Sequence, residues 1–208
     1  MVLKIYGFPQ SACTKRVMMV CKELNLPYEL VKVDPQAGDH KKPAHLEHQP
    51  FGLVPYIDDD GFFLFESRAI ARYLVVKHSS PLMPLGDLKK MAIFEQASSV
   101  EQSEFDPYAA GYAKEKFIKP LMGLSTNEEA AEFLKGTLES KLKVYEKGLG
   151  LHKYLAGDEI TLADLFHIPY GAMLTNELKF TGLTETPNLA RWWNDITSRP
   201  SWKAVQGA

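Results

Sequence analysis

Phe51-Gly52-Leu53-Val54-Pro55 runs into Tyr56-Ile57-Asp58-Asp59-Asp60-Gly61-Phe62-Phe63-Leu64, and the stretch closes on Glu66-Ser67-Arg68-Ala69-Ile70. The middle segment reads as two short strands joined by an Asp-Gly turn, a pair that tolerates the positive φ angles of a tight hairpin. The Val-Pro pair before it marks an extended entry, because proline disfavours helical backbone in the residue it follows. The last segment starts a helix with an acid, a hydroxyl and a base. Exposed loop backbone, a hairpin and a helix N-terminus together make a receptor for a small peptide bearing carboxylates. Free amide N–H groups and the positive end of a helix both favour anions.

On either side of that stretch, up to about residue 80, strand and helix signals alternate. Residues 2–6 read as a strand and 12–24 as a helix. The apolar positions Cys13, Val17, Val20, Cys21 and Leu24 follow the three-and-four spacing of a buried stripe. Residues 28–33 form a second strand, and the helix over 66–77 is expected to bury Ile70, Tyr73 and Leu74. The order βαβ then ββα predicts a mixed α/β domain of thioredoxin-like arrangement over 1–80. Residues 81–88 have linker composition, with Pro81, Pro84 and Gly86. The region 89–208 reads as all-helical, with helices over 89–119, 127–147, 162–179 and 188–197. Thr161-Leu162-Ala163-Asp164 is a capping-box-like start, with Ile160 and Leu165 placed as a hydrophobic staple, so Asp164 is assigned to capping rather than to catalysis.

Composition narrows the class. The 208 residues are 45% hydrophobic and 24% charged, with a formal net charge of −2, ordinary values for a globular protein. A weakly acidic chain lacks the basic excess of a nucleic-acid binder. No apolar run approaches the ~20 residues of a membrane span, and six scattered His without ligand spacing give no metal site. Cys13 and Cys21 lie too far apart along one helix for a disulfide. That points to a reducing, cytoplasmic setting.

Four segments at these spacings carry a resemblance: Ser11-Ala12-Cys13-Thr14-Lys15-Arg16-Val17, Asp39-His40-Lys41-Lys42-Pro43, Gln49 to Pro55, and Leu64 to Tyr73. With a βαβ-ββα half followed by a helical half, the chain resembles the cytosolic glutathione transferases over essentially its whole length, most closely the phi class of plants and fungi. The resemblance implies glutathione as co-substrate, no metal, and conjugation of its thiolate to small hydrophobic electrophiles, with a peroxide-reducing side activity. A non-catalytic carrier of hydrophobic ligands using the same cleft is the alternative.

The chemistry explains the residue types. A thiol of pKa ≈ 8.5 is only a few per cent ionised at pH 7, and a hydroxyl donor at a helix N-terminus favours the anion. Ser11, the first residue of the first segment, fills that role by resemblance; by position alone it is a helix cap. Cys13 is expected to be buried, on the apolar stripe with Val17 and Cys21, and inert, because in the cysteine classes of the superfamily the catalytic sulfur stands five residues before a helix Arg, a slot that Ser11 fills here. Matching positions imply further glutathione contacts from Ala12, His40, Lys41, Leu53, Val54, Glu66 and Ser67. His40 and Lys41 would face the glycyl carboxylate, although a solvated charge patch is the plainer reading of such a pair. Val54 would offer its backbone before a proline that the family holds cis. Leu53 departs from the family's glutamine and loses a side-chain contact, which predicts weaker glutathione binding. Glu66 and Ser67 would bind the γ-glutamyl end, with Arg68 as support.

The same resemblance places the acceptor site between Phe8, Pro9 and Gln10 on one side and Phe105, Tyr108, Tyr112 and Phe117 on the other, across the domain cleft. It also implies a homodimer with Phe51 as an aromatic key inserted into the neighbouring subunit. A plain core phenylalanine is the competing reading of Phe51.

Overall fold

Alternating burial marks Leu3–Gly7 as β1, with Leu3, Ile5 and Gly7 buried and Lys4 and Tyr6 on the opposite face, the two-residue period of a strand. A computed structural model describes residues 2–207. Tyr28–Lys32 (β2) pairs parallel to β1, Tyr56–Asp59 (β3) pairs antiparallel to it, and Phe62–Phe65 (β4) closes the hairpin, giving the order β2-β1-β3-β4. Asp60 and Gly61 have φ of 57° and 85°, as the Asp-Gly turn requires. Ala12–Glu23 (α1) and Ser67–Lys77 (α3) pack against each other and against the sheet. The short helix Pro43–Leu46 (α2) brings His45 edge-on to Tyr56, which itself stacks on Tyr6 at 4.4 Å between centroids. This is the thioredoxin-like arrangement expected from the sequence.

The chain divides into two compact units, one of Met1–Pro81 with Arg199–Ala208, the other of Leu82–Ser198. That corrects the expected boundaries twice. Leu82 and Met83 are buried, and Leu82 accepts a hydrogen bond from the Leu162 amide, so residues from 82 onward belong to the packed helical unit. The last ten residues, including Pro200–Lys203 (α11), return to the N-terminal unit and pack on α1. With α3 and α11 both against it, α1 is buried far beyond one stripe: Arg16, Met18 and Met19 are inside along with Val17, Val20 and Cys21. Leu24 is half-exposed beyond the helix end, and Tyr73, expected inside, is half-exposed with its hydroxyl on Asp59 at 2.6 Å.

The helical unit contains Leu88–Val100 (α4), Asp106–Ala113 (α5), Lys119–Leu121 (α6), Glu128–Leu149 (α7), Leu162–Phe166 (α8), Ile168–Asn176 (α9) and Pro187–Thr197 (α10). The single helix expected over 89–119 is interrupted by π turns at Glu101–Phe105 and Lys114–Ile118. Pro107 and Pro120 lack an N–H, so each deletes one helical hydrogen bond, and the helix widens in the turn before it. The helix expected over 162–179 breaks at His167, just before Pro169, for the same reason. Asp164 caps α8 through the Thr161 amide at 2.9 Å, and its carboxylate also accepts from the Leu155 amide at 3.0 Å and Trp192 Nε1 at 2.9 Å. Its full burial pushes the carboxyl above the usual range despite these donors, as desolvation of a charge does. Asp164 is therefore structural, as its capping position implied.

Candidate functional site

Ser11 is the N-cap of α1, with extended backbone and a hydroxyl oxygen that accepts from the Thr14 amide at 3.4 Å. That bond is long, and it uses only a lone pair, so the hydroxyl proton stays available to a ligand. Half-exposed at the positive end of a twelve-residue helix, the group can donate to an anion. Ala12 beside it is buried, while Phe8 is half-exposed and Gln10 exposed in the β1–α1 loop.

Arg16, five residues after Ser11, is fully buried and donates from Nη1 to Ser67 Oγ at 2.9 Å and towards Cys13 Sγ at 3.6 Å. Arginine only donates, so the Ser67 oxygen must accept. The Ser67 hydroxyl proton is thereby left to point elsewhere. Sequence reasoning used Arg16 only as a positional marker and missed this bond, which spans 51 residues. Cys13 is half-exposed rather than buried, while its neighbours Ala12 and Thr14 are inside. Cys21 is buried, and burial pushes its thiol up to about 12.

Glu66 precedes α3 with φ 70° and ψ 107°, a backbone conformation that costs a non-glycine residue about 1–3 kcal/mol and clusters at ligand sites. Its side chain is exposed, Ser67 is buried, and Arg68 is half-exposed.

A 3-10 turn at Asp39–Lys41 carries the next two predicted residues. Lys41 Nζ donates to the carbonyls of Gly52 at 2.9 Å and Phe51 at 3.3 Å, tying the turn to the loop before β3. No carboxylate among the described residues neutralises it. Gly52 has φ +61°, and a Cβ there would meet Lys41 Nζ at 2.6 Å and the His40 carbonyl at 2.9 Å; only glycine fits. His40 Nδ1 is buried with no hydrogen-bond partner. Burial, then the charges of Lys41 and His45, holds its pKa below the ordinary value against the opposing pull of Asp39. His40 is thus neutral at neutral pH.

Two polar residues that sequence reasoning passed over fix the loop between them. His45 Nε2 lies 2.7 Å from the Leu53 carbonyl, and Gln49 Oε1 accepts from the Leu53 amide at 3.2 Å. Their i, i+4 spacing after Pro43 was the available signal. Both backbone groups of Leu53 are therefore occupied, and what it offers a ligand is a side chain 56% exposed. Val54 follows with a cis bond to Pro55. Neither its N–H nor its C=O has a partner among the described residues, which suits strand-like pairing with an extended peptide.

The proposed acceptor residues of the helical unit separate by burial. Phe105 is inside, its ring 4.6 Å from His167, and Tyr112 is inside, edge-on to Phe180 at 6.4 Å. Both rings pack within that unit. Tyr108, with Lys141 Nζ 6.0 Å from its ring centre, and Phe117 in the second π turn are half-exposed. Phe51 is 65% exposed, which excludes the core reading, and contacts Phe65 edge-on.

The helical unit also holds a mainly apolar cavity of about 290 Å³ between α4 and α7, lined by Ile93, Ala97, Val100, Val144 and Gly148 among others. A larger depression of about 840 Å³, lined by Leu149, His152, Asn188 and Arg191 among others, lies at the C-terminal end of α7. None of the residues assigned to thiol chemistry lines either one. No group of three metal-ligating side chains occurs among the described residues, and no helix is long and apolar enough to cross a membrane.

Comparison with known proteins agrees with this geometry. Residues 1–76 match the family model for the glutathione S-transferase N-terminal domain, and residues 98–200 match that for the C-terminal domain. Glutathione S-transferase PM239X14 of Arabidopsis thaliana is 47% identical over 196 residues, covering 92% of this chain and 89% of that protein. The crystal structure of glutathione transferase F7 from Populus trichocarpa superposes with a TM-score of 0.95 at 39% identity, covering 99% of this chain and 98% of the other. Glutathione S-transferase I from mais, in complex with an atrazine glutathione conjugate, gives a TM-score of 0.91 at 31% identity over 100% of this chain and 97% of the other.

Proposed function

The chain belongs to the glutathione S-transferase family and, within it, to the phi class, and from that membership we propose that it joins the thiolate of glutathione to hydrophobic electrophiles, with Ser11 holding the anion. The observation that carries this reading is the Ser11 hydroxyl at the α1 N-terminus, engaged only through a long 3.4 Å cap bond. A hydrogen bond to a charged group contributes about 1.5–3 kcal/mol and a helix end about 0.3–1. Together they lower a thiol pKa by roughly one to three units, so most of the bound thiol is ionised near neutral pH. The proton leaves to solvent. The thiolate then forms a C–S bond to the electrophilic carbon as the bond to the leaving group breaks, and Ser11 itself forms no bond to carbon. Attack on a hydroperoxide oxygen instead gives the peroxide-reducing side activity, with a second glutathione completing the disulfide.

The remaining contacts follow from donor and acceptor directions. Because Arg16 donates to Ser67 Oγ, the Ser67 proton points to the γ-glutamyl carboxylate, joined by the amides of the α3 N-terminus. Glu66 takes the ammonium, Val54 pairs with the cysteinyl backbone, and Lys41 with His40 faces the glycyl carboxylate. Phe8, Gln10, Tyr108 and Phe117 supply acceptor contacts, and detoxification of compounds such as atrazine is the role this implies. The two unpaired cysteines fit a cytoplasmic setting.

The enzyme works as a homodimer in this reading: the exposed Phe51 ring is the key, and the apolar 290 Å³ cavity between α4 and α7 is the socket that receives it in the second copy. Ultraviolet titration of bound glutathione tests the central claim. Ser11→Ala should raise the thiol pKa and cut conjugation of a chromogenic aryl halide; an unchanged titration removes Ser11 from the mechanism. A ligand carrier, the second reading, would bind hydrophobic compounds at the same site without turning over that halide.

A further inference from the structure

The C-terminal segment Arg199–Ala208 folds into the N-terminal unit and holds α1 at three places along its length. At the C-terminal end of the helix, Glu23 accepts a two-pronged bond from Arg199, Nε and Nη2 each at 2.7 Å, and a further bond from the Ser201 hydroxyl. Only 9% of the Glu23 side chain is exposed. Burial pushes this carboxyl up, but the Arg199 and Ser201 bonds and the Arg199 charge outweigh it and hold the pKa below the usual range. Along the middle, Trp202 and Val205 are buried and α11 packs on α1. Near the N-terminal end, Lys15 Nζ donates to the Gln206 carbonyl at 2.7 Å, while the Lys15 amide donates to the Ser11 carbonyl at 2.9 Å. One residue therefore connects the tail to the helix cap.

We infer that the C-terminal segment is a splint for α1, and that Arg199, Glu23 and Lys15 are positioning residues that set where the Ser11 hydroxyl stands relative to the bound thiol. A bidentate Arg–carboxylate pair fixes direction as well as distance, and helices anchored at one end only can tilt or slide. A hydrogen bond to sulfur weakens steeply as its geometry degrades, and misplacement of a reacting group by about 1 Å can cost about a hundredfold in rate. None of these residues touches glutathione; they act through the helix. The inference rests on the Ser11 reading above.

The experiment titrates the thiol of saturating glutathione by ultraviolet absorbance in the full-length wild-type protein and in Ser11→Ala, Arg199→Lys, Arg199→Leu and Lys15→Met, with thermal unfolding measured in parallel. Arg199→Leu should raise the bound-thiol pKa by about half a unit, a roughly threefold loss of thiolate and of kcat at pH below that pKa, with KM for glutathione changed less than about twofold. Arg199→Lys should fall between, because it keeps the charge and loses the fork. Lys15→Met removes the side-chain contact with Gln206, and should shift the pKa in the same direction; it decides the matter if Arg199→Leu does not fold. Lower melting temperatures with bound-thiol pKa values held within about 0.1 unit of wild type would make the segment merely structural and overturn the inference. A Ser11→Ala protein whose thiol titrates like wild type would instead overturn the reading on which it rests.

Discussion

Replacing Phe51 with alanine removes a ring that is 65% exposed and that we place in a socket on a second copy. Burying a whole phenylalanine side chain is worth about 1.5–3 kcal/mol, so covering the exposed two-thirds gives about 1–2 kcal/mol. A two-fold dimer holds two such keys, which makes the loss about 2–4 kcal/mol. At about 1.4 kcal/mol per factor of ten, the dimer Kd should rise roughly 30- to 1,000-fold. Sedimentation velocity over a concentration series reads this directly. The monomer should stay folded, since the ring's described neighbour is Phe65 at 6.0 Å, edge-on. Val144→Lys alters the socket, where Val144 is exposed, and should weaken the dimer similarly. The double variant should then be less than additive, because both changes break the same contact. A Phe51→Ala dimer within about threefold of wild type, or full additivity with Val144→Lys, would refute the assignment of the key and its socket.

Three further outcomes are expected. Iodoacetamide at pH 7.5 should label Cys13, which is half-exposed, and spare Cys21, whose thiol is pushed up to about 12 by burial; peptide mass spectrometry that finds Cys21 modified in the folded protein would contradict this. Asp164→Ala strips one carboxylate from four described donors, Thr161 N, Thr161 Oγ1, Leu155 N and Trp192 Nε1. It should cost about 3–5 kcal/mol in denaturant unfolding, and a loss under about 1 kcal/mol would remove Asp164 from its structural role. Glu23 titrates below its unfolded value of 4.5, so its contribution is fully present above pH 4.5 and fades as pH falls through the lower, folded pKa. Glu23→Gln should therefore be less stable than wild type at pH 7 but lose less on acidification to pH 3, measured by chemical denaturation at both values; equal acid sensitivity would show that other carboxylates govern the response.

What the sequence made legible is what neighbouring residues determine. The Asp60-Gly61 turn, the capping of α8 by Asp164 and the Ser11 start of α1 each depend on a few consecutive side chains and backbone angles, and each appears where expected. Residues whose role depends on distant partners were less readable. A single apolar stripe on α1 predicted one buried face, but α11 arrives from the far end of the chain and covers more of the helix, so Arg16 and Met18 go inside too. Cys13 and Tyr73 fit helical periodicity yet lie where the packing thins, and they stay half-exposed. The Leu53 loop looked like open backbone until His45 and Gln49 were seen to occupy both of its polar groups. Tyr112 illustrates a different ambiguity: an aromatic at the right spacing for a pocket is equally at the right spacing for a core, and its ring packs edge-on to Phe180.

Because Arg199–Ala208 belongs with Met1–Pro81, a unit begun before the helical one is finished only after it. Translation at about 5–20 residues per second interposes on the order of ten seconds between Pro81 and Arg199, during which the outer flank of α1, where Trp202 and Val205 will dock, waits uncovered. Any truncation near residue 199 thus leaves that unit permanently unfinished, without the contact between Lys15 and Gln206.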